Sequence, residues 1–254
     1  MNRFRVIPSL LLNGSGLYKT RRFKEPKYIG DPINAVRIFN EKEVDELIFL
    51  DIAASQKGAE PNYGILKSIA TECFMPLCYG GGIANLSQIE QILKIGVEKV
   101  ALNTCLFESP SVVAQAAKSF GSSTIVVSID FRRSLLGKVM AYYRSGTKNA
   151  GVTLLDAAQR AVELGAGELL INAIDRDGMQ SGYDLDAIRA VTSSVPIPVI
   201  ASGGAGSLAD FRAAVFEGGA SAVAAGSFFV FVGKHRAVLI TYPEQSKLLS
   251  EVYQ

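Results

Sequence analysis

Much of what would place this chain in a membrane, outside the cell or on nucleic acid is missing from it. No apolar run approaches the roughly 20 residues needed to cross a bilayer. The N-terminal stretch VIPSLLL is short, contains proline and has no small-residue cleavage pattern, so a signal peptide is not expected. Cysteine is scarce: Cys73, Cys78 and Cys105 are an odd number without metal-ligand spacing, which suits space-filling thiols in a reducing compartment better than a disulfide framework. A cytoplasmic protein is expected, with no metal and no cofactor. The only histidine, His235, has no neighbour suggesting a catalytic dyad, and Ser9 and Ser202 lack a histidine base at recognisable spacing, which argues against a serine hydrolase. Low-complexity tracts are absent, and a net charge of +2 gives no general reason to expect nucleic acid or an anionic membrane as partner.

What is present is an alternation. Apolar, β-branched runs fall at 5–11, 46–52, 75–79, 99–103, 124–130, 168–173, 197–201 and 221–225, separated by amphipathic stretches such as LSQIEQILKIG and LLDAAQRAVELG. Eight βα units imply a parallel sheet that can close, and 254 residues suit one such barrel, so a single α/β domain over 1–254 with a (βα)8 TIM-barrel fold is expected. A repeat supports this. ELIFLDIAA from Glu46 matches ELLINAIDR from Glu168, and MPLCYGGG matches IPVIASGG, at a constant offset of 122 residues. A half-barrel duplication with approximate twofold symmetry favours a substrate with two similar ends.

Chemistry in such barrels sits at the C-terminal ends of the strands. There GGGI at 80–83 and SGGAG at 202–206 follow the third and seventh strands, and Leu102-Asn103-Thr104 and Ala225-Gly226-Ser227 follow the fourth and eighth. Glycines let a backbone approach an anion and offer its amides. Gly81, Gly82, Asn103 and Thr104 therefore suggest one phosphate site, and Ser202, Gly203, Gly204, Gly226 and Ser227 a second, although glycines in tight βα turns would look the same. Acids at this face are Asp51, Asp130, Asp175 and Asp177. Each can bind a sugar hydroxyl, transfer a proton or cap a helix. Asp130, ending the apolar run TIVVSI, is the candidate for chemistry; Asp177 and Gly178 lie in DRDG. The basic cluster of Lys19, Arg21, Arg22, Lys24 and Lys27 is expected in a long, flexible loop after the first strand, either solvated or able to close over a phosphorylated ligand.

At the opposite end, Arg5, Glu46, Lys99 and Glu168 all stand where strands begin. They either point outward into water or form an inward ring of alternating sign, since charges entering a barrel need partners.

With RVIP, FLDI, YGGGI, VSID, DRDG, GYDL and VIASGGAG in order along nearly the whole chain, the sequence resembles the cyclase subunit of imidazole glycerol phosphate synthase, the HisF-like family. The resemblance implies a barrel that binds a substrate with a phosphate at each end, N′-phosphoribulosyl-formimino-AICAR-phosphate, and converts it with ammonia into imidazole glycerol phosphate and AICAR. It implies a HisH-like glutaminase partner at the N-terminal face, supplying that ammonia through a gate matched by Arg5, Glu46, Lys99 and Glu168. Of the family's two catalytic aspartates, Asp130 matches one. The other falls on Leu11; Ser9 replaces a cysteine, and NGSGL replaces KDGRV. A missing acid or base costs about 10²–10⁴-fold in rate. Besides the cyclase, two alternatives follow: a divergent paralogue channelling ammonia to another reaction, such as amidino-group formation on a nucleotide sugar in surface-polysaccharide synthesis, or a non-catalytic scaffold that activates a glutaminase.

Overall fold

The computed structural model describes residues 4–253, so the expected domain limits at 1 and 254 lie outside the described residues. In chain order the barrel elements are β1 (Arg5–Asn13), α1 (Pro32–Glu41), β2 (Leu47–Asp51), α2 (Tyr63–Glu72), β3 (Leu77–Gly80), α3 (Leu86–Ile95), β4 (Lys99–Leu102), α4 (Pro110–Phe120), β5 (Ile125–Arg133), α5 (Leu154–Glu163), β6 (Glu168–Ala173), α6 (Leu185–Thr192), β7 (Val199–Ser202), α7 (Leu208–Phe216), β8 (Ala222–Ala225) and α8 (Gln245–Glu251). Each of these strands pairs in parallel with the next, and β8 closes on β1 through Arg5↔Ala222 to Pro8↔Ala225. The result is a (βα)8 barrel.

Because side chains alternate along a strand, every strand carries one set toward the axis and one toward the helices. On β1, Val6, Leu10 and Leu12 belong to the core shared with the helices, while Ile7 packs in the axial cluster with Ile48, Cys78, Val126, Leu170 and Ile200. Full burial of side chains of this size stabilises by about 1.5–3 kcal/mol each. The axial belt separates the two ends of the barrel.

The twofold repeat extends to side-chain chemistry. Asn85 caps α3 by accepting from the Gln88 amide, and Ser207, 122 residues on, caps α7 by accepting from the Asp210 amide. Gln88 accepts in turn from the Ala84 amide, and Asp210 from that of Gly206. Short helices Thr104–Glu108 and Ser227–Val230 follow β4 and β8, and the residues before them, Asn103 and Gly226, have φ/ψ of −111/−67 and −106/−67.

One expectation is overturned. The basic segment after the first strand is a β-ribbon: Gly16–Arg21 pairs antiparallel with the end of β1, at Leu11↔Tyr18, and with Lys24–Gly30. Its turn uses Arg22 and Phe23 at φ 51° and 62°. Leu17 is fully buried, and the aliphatic stem of Lys19 is buried with it, so alternation survives beneath the charges that made the segment look like a loop. A second ribbon, Val139–Tyr143 with Lys148–Thr153, extends β5.

Candidate active site

At the C-terminal mouth lies a cavity of about 330 Å³, lined by residues from all eight barrel strands or the turns that follow them. Gly81, Gly82, Asn103 and Thr104 form one wall, and Ser202, Gly203, Gly204, Gly226 and Ser227 the other, so both expected cradles face one space. Two glycines are obligatory. Gly81 has φ +120° and Gly204 φ +123°; a Cβ would lie 2.5 Å from the Asp51 carbonyl oxygen at the first and 2.1 Å from that of Gly182 at the second. The Thr104 hydroxyl is buried without a hydrogen-bond partner among the described residues, as is the Asn172 side-chain oxygen. Unpaired buried polar atoms are costly, which marks both as positions for a ligand atom or water.

Asp130 lines the same cavity from within β5, where the second ribbon begins to pair with that strand. Burial, reinforced by the nearby Asp177 carboxylate and opposed by the Arg132 guanidinium, pushes its carboxyl up to about 8. At neutral pH it holds a proton in water-poor surroundings, the condition of a general acid. Leu11 faces the cavity from β1, four strands away around the barrel on either side. The Leu10-Leu11-Leu12 triplet thus divides by alternation: the outer two are core, and only the middle one meets the cavity.

Other expected site residues have prior commitments. The Asp51 carboxylate accepts from the amides of Ala53 and Ala54, both at 3.0 Å, and so acts as a cap of the turn after β2. The Asn103 side chain donates to the Ser128 carbonyl at 2.9 Å. Lys19 is buried in an ion pair with Asp177 at 2.7 Å, and Thr20 donates to the other oxygen of that carboxylate. The Arg22 amide donates to the Asp177 carbonyl at 2.8 Å, and Gly178 packs so closely that a Cβ would lie 2.3 Å from the Thr20 carbonyl oxygen. These contacts latch the ribbon onto the loop after β6. Asp175 is further out, beside Arg132 and the Arg133 amide, and His235 is exposed in the turn after β8.

At the barrel floor the four charges turn inward and close a cycle. Arg5 donates to Glu46 and Glu168, and Lys99 reaches the same two carboxylates at 3.1 and 3.0 Å. Burial pulls the Arg5 guanidinium and the Lys99 ammonium down, but the two glutamates outweigh it and hold both above their ordinary values. The outward orientation left open by spacing is therefore not adopted.

Sequence reasoning missed Ser128 and Asn172, which line the cavity two residues before Asp130 and four after Glu168. Counting by twos from those acids would have found them. It also missed Arg236, which donates to the Ser227 hydroxyl oxygen from beyond β8 and carries no motif.

A family model described as histidine biosynthesis protein matches residues 5–235. A Pseudomonas aeruginosa protein provisionally named imidazole glycerol phosphate synthase subunit hisF2 is 53% identical over 98% of this chain and 99% of its own. A Vibrio vulnificus protein, provisionally named subunit hisF3 of the same synthase, is 49% identical over 97% and 95%. The imidazole glycerol phosphate synthase subunit HisF of Alkaliphilus metalliredigens is 40% identical over 89% of each chain. The chain therefore belongs to the histidine biosynthesis protein family and, within it, to the HisF-type synthase subunits.

Proposed function

We propose that this subunit takes ammonia in at the barrel floor and uses it at the mouth on a substrate carrying a phosphate at each end, giving imidazole glycerol phosphate, which keeps one phosphate, and AICAR, which leaves with the other. One observation carries the proposal: the closed ring of Arg5, Glu46, Lys99 and Glu168 lies on the same axis as the two cradles, with only the apolar belt between them. A belt of aliphatic side chains passes a neutral molecule far more readily than a charged one, so a conduit of this kind selects ammonia over ammonium. The ring is the gate: its four ion pairs close the floor, and a path opens when they part.

The glutaminase that supplies the ammonia docks on the N-terminal face. Phe74, 85% exposed before β3, and Phe216, 54% exposed at the end of α7, stand on that face. Asn40 holds the Phe74 turn in place by accepting from the Phe74 amide at 3.1 Å and donating to the Glu72 carbonyl at 2.6 Å. An ordered, exposed aromatic suits an interface anchor.

At the mouth, the Gly81–Gly82 turn with Thr104 holds one phosphate, and the Gly203–Gly204 turn with Gly226 and Ser227 holds the other, in a cavity large enough for a small bis-phosphate. Asp130 supplies a proton to the nitrogen that departs with AICAR or to the carbonyl oxygen that is lost as water when the ring closes. Lys19, Asp177 and Gly178 act by holding the ribbon across the mouth; Asp51 and Asn103 act by fixing the turns beside the first cradle. Leu11 supplies no proton transfer, and this observation favours slow turnover by the unaltered chain.

The test is to purify the chain with a glutaminase of its own organism and measure glutamine hydrolysis and imidazole glycerol phosphate formation for wild type and Leu11→Asp. Stimulated hydrolysis with slow product formation, accelerated about 10²-fold or more by the aspartate, is expected. Absence of product from both variants would overturn the cyclase, leaving ammonia delivery to another reaction if hydrolysis is stimulated.

A further inference from the structure

The two cradles are twofold mates in backbone, yet their electrostatic surroundings differ. On the β3–β4 side, the Thr104 hydroxyl has no partner among the described residues, and the basic side chain lining the cavity nearby is the exposed Lys57. On the β7–β8 side, the Ser227 hydroxyl oxygen accepts from Arg236 Nη2 at 3.3 Å. Arg236 Nη1 is fixed by the Gly178 carbonyl at 3.0 Å and the Gln180 side chain at 3.2 Å, and the guanidinium lies over the Phe231 ring at 4.6 Å. The Lys19 stem runs beside Gly226, where a Cβ would lie 2.9 Å from its Cε.

The position of Arg236 is electrostatically unfavourable as it stands. Burial and the positive charge of Arg21 both lower its hold on its proton, and Asp177 compensates only in part. A partly buried guanidinium held behind a glycine-rich turn is relieved by an anion placed next to it. The Ser227 oxygen accepts from the arginine, so its own hydrogen is free to point into the cavity.

Arg236 sits on a short ribbon, Phe231–Val232 with Ala237–Val238, and the family model ends at residue 235. The 248-residue match to the hisF2 protein leaves at most a few residues of this chain uncovered and so includes the ribbon. The family match thus takes in the first strand of the ribbon and stops one residue before Arg236, whereas the match to the hisF2 protein runs through the whole ribbon.

We propose that Arg236 is a positioning and specificity residue: by backing Ser227, it makes the β7–β8 cradle the tighter anion site and so sets the direction in which a two-ended phosphorylated substrate lies. This rests on both cradles being phosphate sites. The barrel is nearly symmetric, and a substrate with two phosphate ends has two ways of entering it. A fixed cation behind one cradle removes that ambiguity.

The experiment is titration of the full-length chain with inorganic phosphate, followed by calorimetry and phosphorus NMR, for wild type, Arg236→Met, Arg236→Lys and Thr104→Val. Two sites of separated affinity are expected. Arg236→Met weakens the tighter one by about 10-fold to 100-fold, the value of a charge-assisted hydrogen bond, and leaves the weaker one unchanged. Arg236→Lys recovers part of the loss, and Thr104→Val affects only the weaker site. If both sites bind but neither responds to Arg236→Met, or if the lysine is no better than methionine, the assignment of Arg236 is overturned while the cradles stand. If the wild-type chain binds no phosphate, the cradles and the assignment fall together.

Discussion

Replacing Asp130 by asparagine should stabilise the protein, and by an amount that depends on pH. The carboxyl is raised from 3.8 to about 8, first by burial and then by the Asp177 carboxylate. A group that holds its proton more tightly when folded opposes folding only where the unfolded chain has released that proton. The penalty is therefore absent below about pH 4, grows between pH 4 and pH 8, and is complete above pH 8. If the whole displacement were expressed in stability it would amount to roughly 6 kcal/mol, which is a ceiling, because water and side chains relax around a buried charge. A gain of about 2–3 kcal/mol at pH 9 is the expectation for Asp130→Asn, shrinking toward zero at pH 4. Urea unfolding of the two proteins at pH 4, 6, 7.5 and 9 measures it. A difference that stays constant across that range would show that Asp130 is solvated and ionised in the folded protein, and would remove the argument for it as a proton donor. Adding Asp177→Asn should narrow the window without abolishing it, since burial is the larger cause.

Two further perturbations separate the floor from the mouth. Glu168→Gln leaves Arg5 and Lys99 sharing the single carboxylate of Glu46, and should cost about 2–3 kcal/mol in urea unfolding, toward the low end for a broken buried pair because side chains of Arg5 and Lys99 are 31% and 22% exposed; a loss under about 0.5 kcal/mol would mean the ring behaves as a surface ion pair. Gly204→Ala puts a Cβ 2.1 Å from the Gly182 carbonyl oxygen at φ +123°, whereas Gly14→Ala, at φ +65° with no atom of the described residues beyond its chain neighbours within 4 Å, meets only backbone strain. The first should cost at least about 3 kcal/mol and the second about 1 kcal/mol by thermal or chemical melting, and similar losses at both sites would refute the close approach of the two turns.

The barrel was legible because its signals are periodic. Strands such as Ile125–Ile129 and helices such as Leu86–Ile95 differ in the spacing of apolar residues, and the 122-residue repeat ties one half to the other. The charge ring was legible as four residues at four strand starts, but their direction was not, because a residue at the first position of a strand can point either way until the register is known. The ribbon at Gly16–Gly30 was misjudged since only one face of a two-stranded ribbon is buried, and here that face includes a lysine whose charge hides its alternation. Asp51 could not be assigned from its position, because a strand-end acid that faces a ligand and one that caps the next turn occupy the same place in sequence. Arg236 was invisible for a different reason: it comes to Ser227 through the path of the ribbon, and nothing in GKHRAVLI records where that ribbon turns.

The same alternation explains how one substitution can change the mouth without disturbing the floor. Arg5, Ile7, Ser9 and Leu11 are successive inward positions on β1, so Leu11 stands about 20 Å along the strand from the ring, with the apolar belt between them. Leu10 and Leu12, pointing outward, carry the packing of this strand end against the helices. Leu11 bears little of that load: it is partly exposed to the cavity and pairs through its backbone with Leu50 and Tyr18, contacts that any side chain would keep. Leucine in place of an acid here therefore costs the fold almost nothing; on the proposed function it costs the chemistry a proton carrier and leaves the charge ring beneath whole. By the same reasoning Leu11→Asp should fold normally, and its carboxylate, open to the cavity, should titrate well below the buried Asp130. Two acids with separated proton affinities on opposite walls of one cavity are what acid and base roles require, so a gain in turnover from this single change would localise the deficit to position 11.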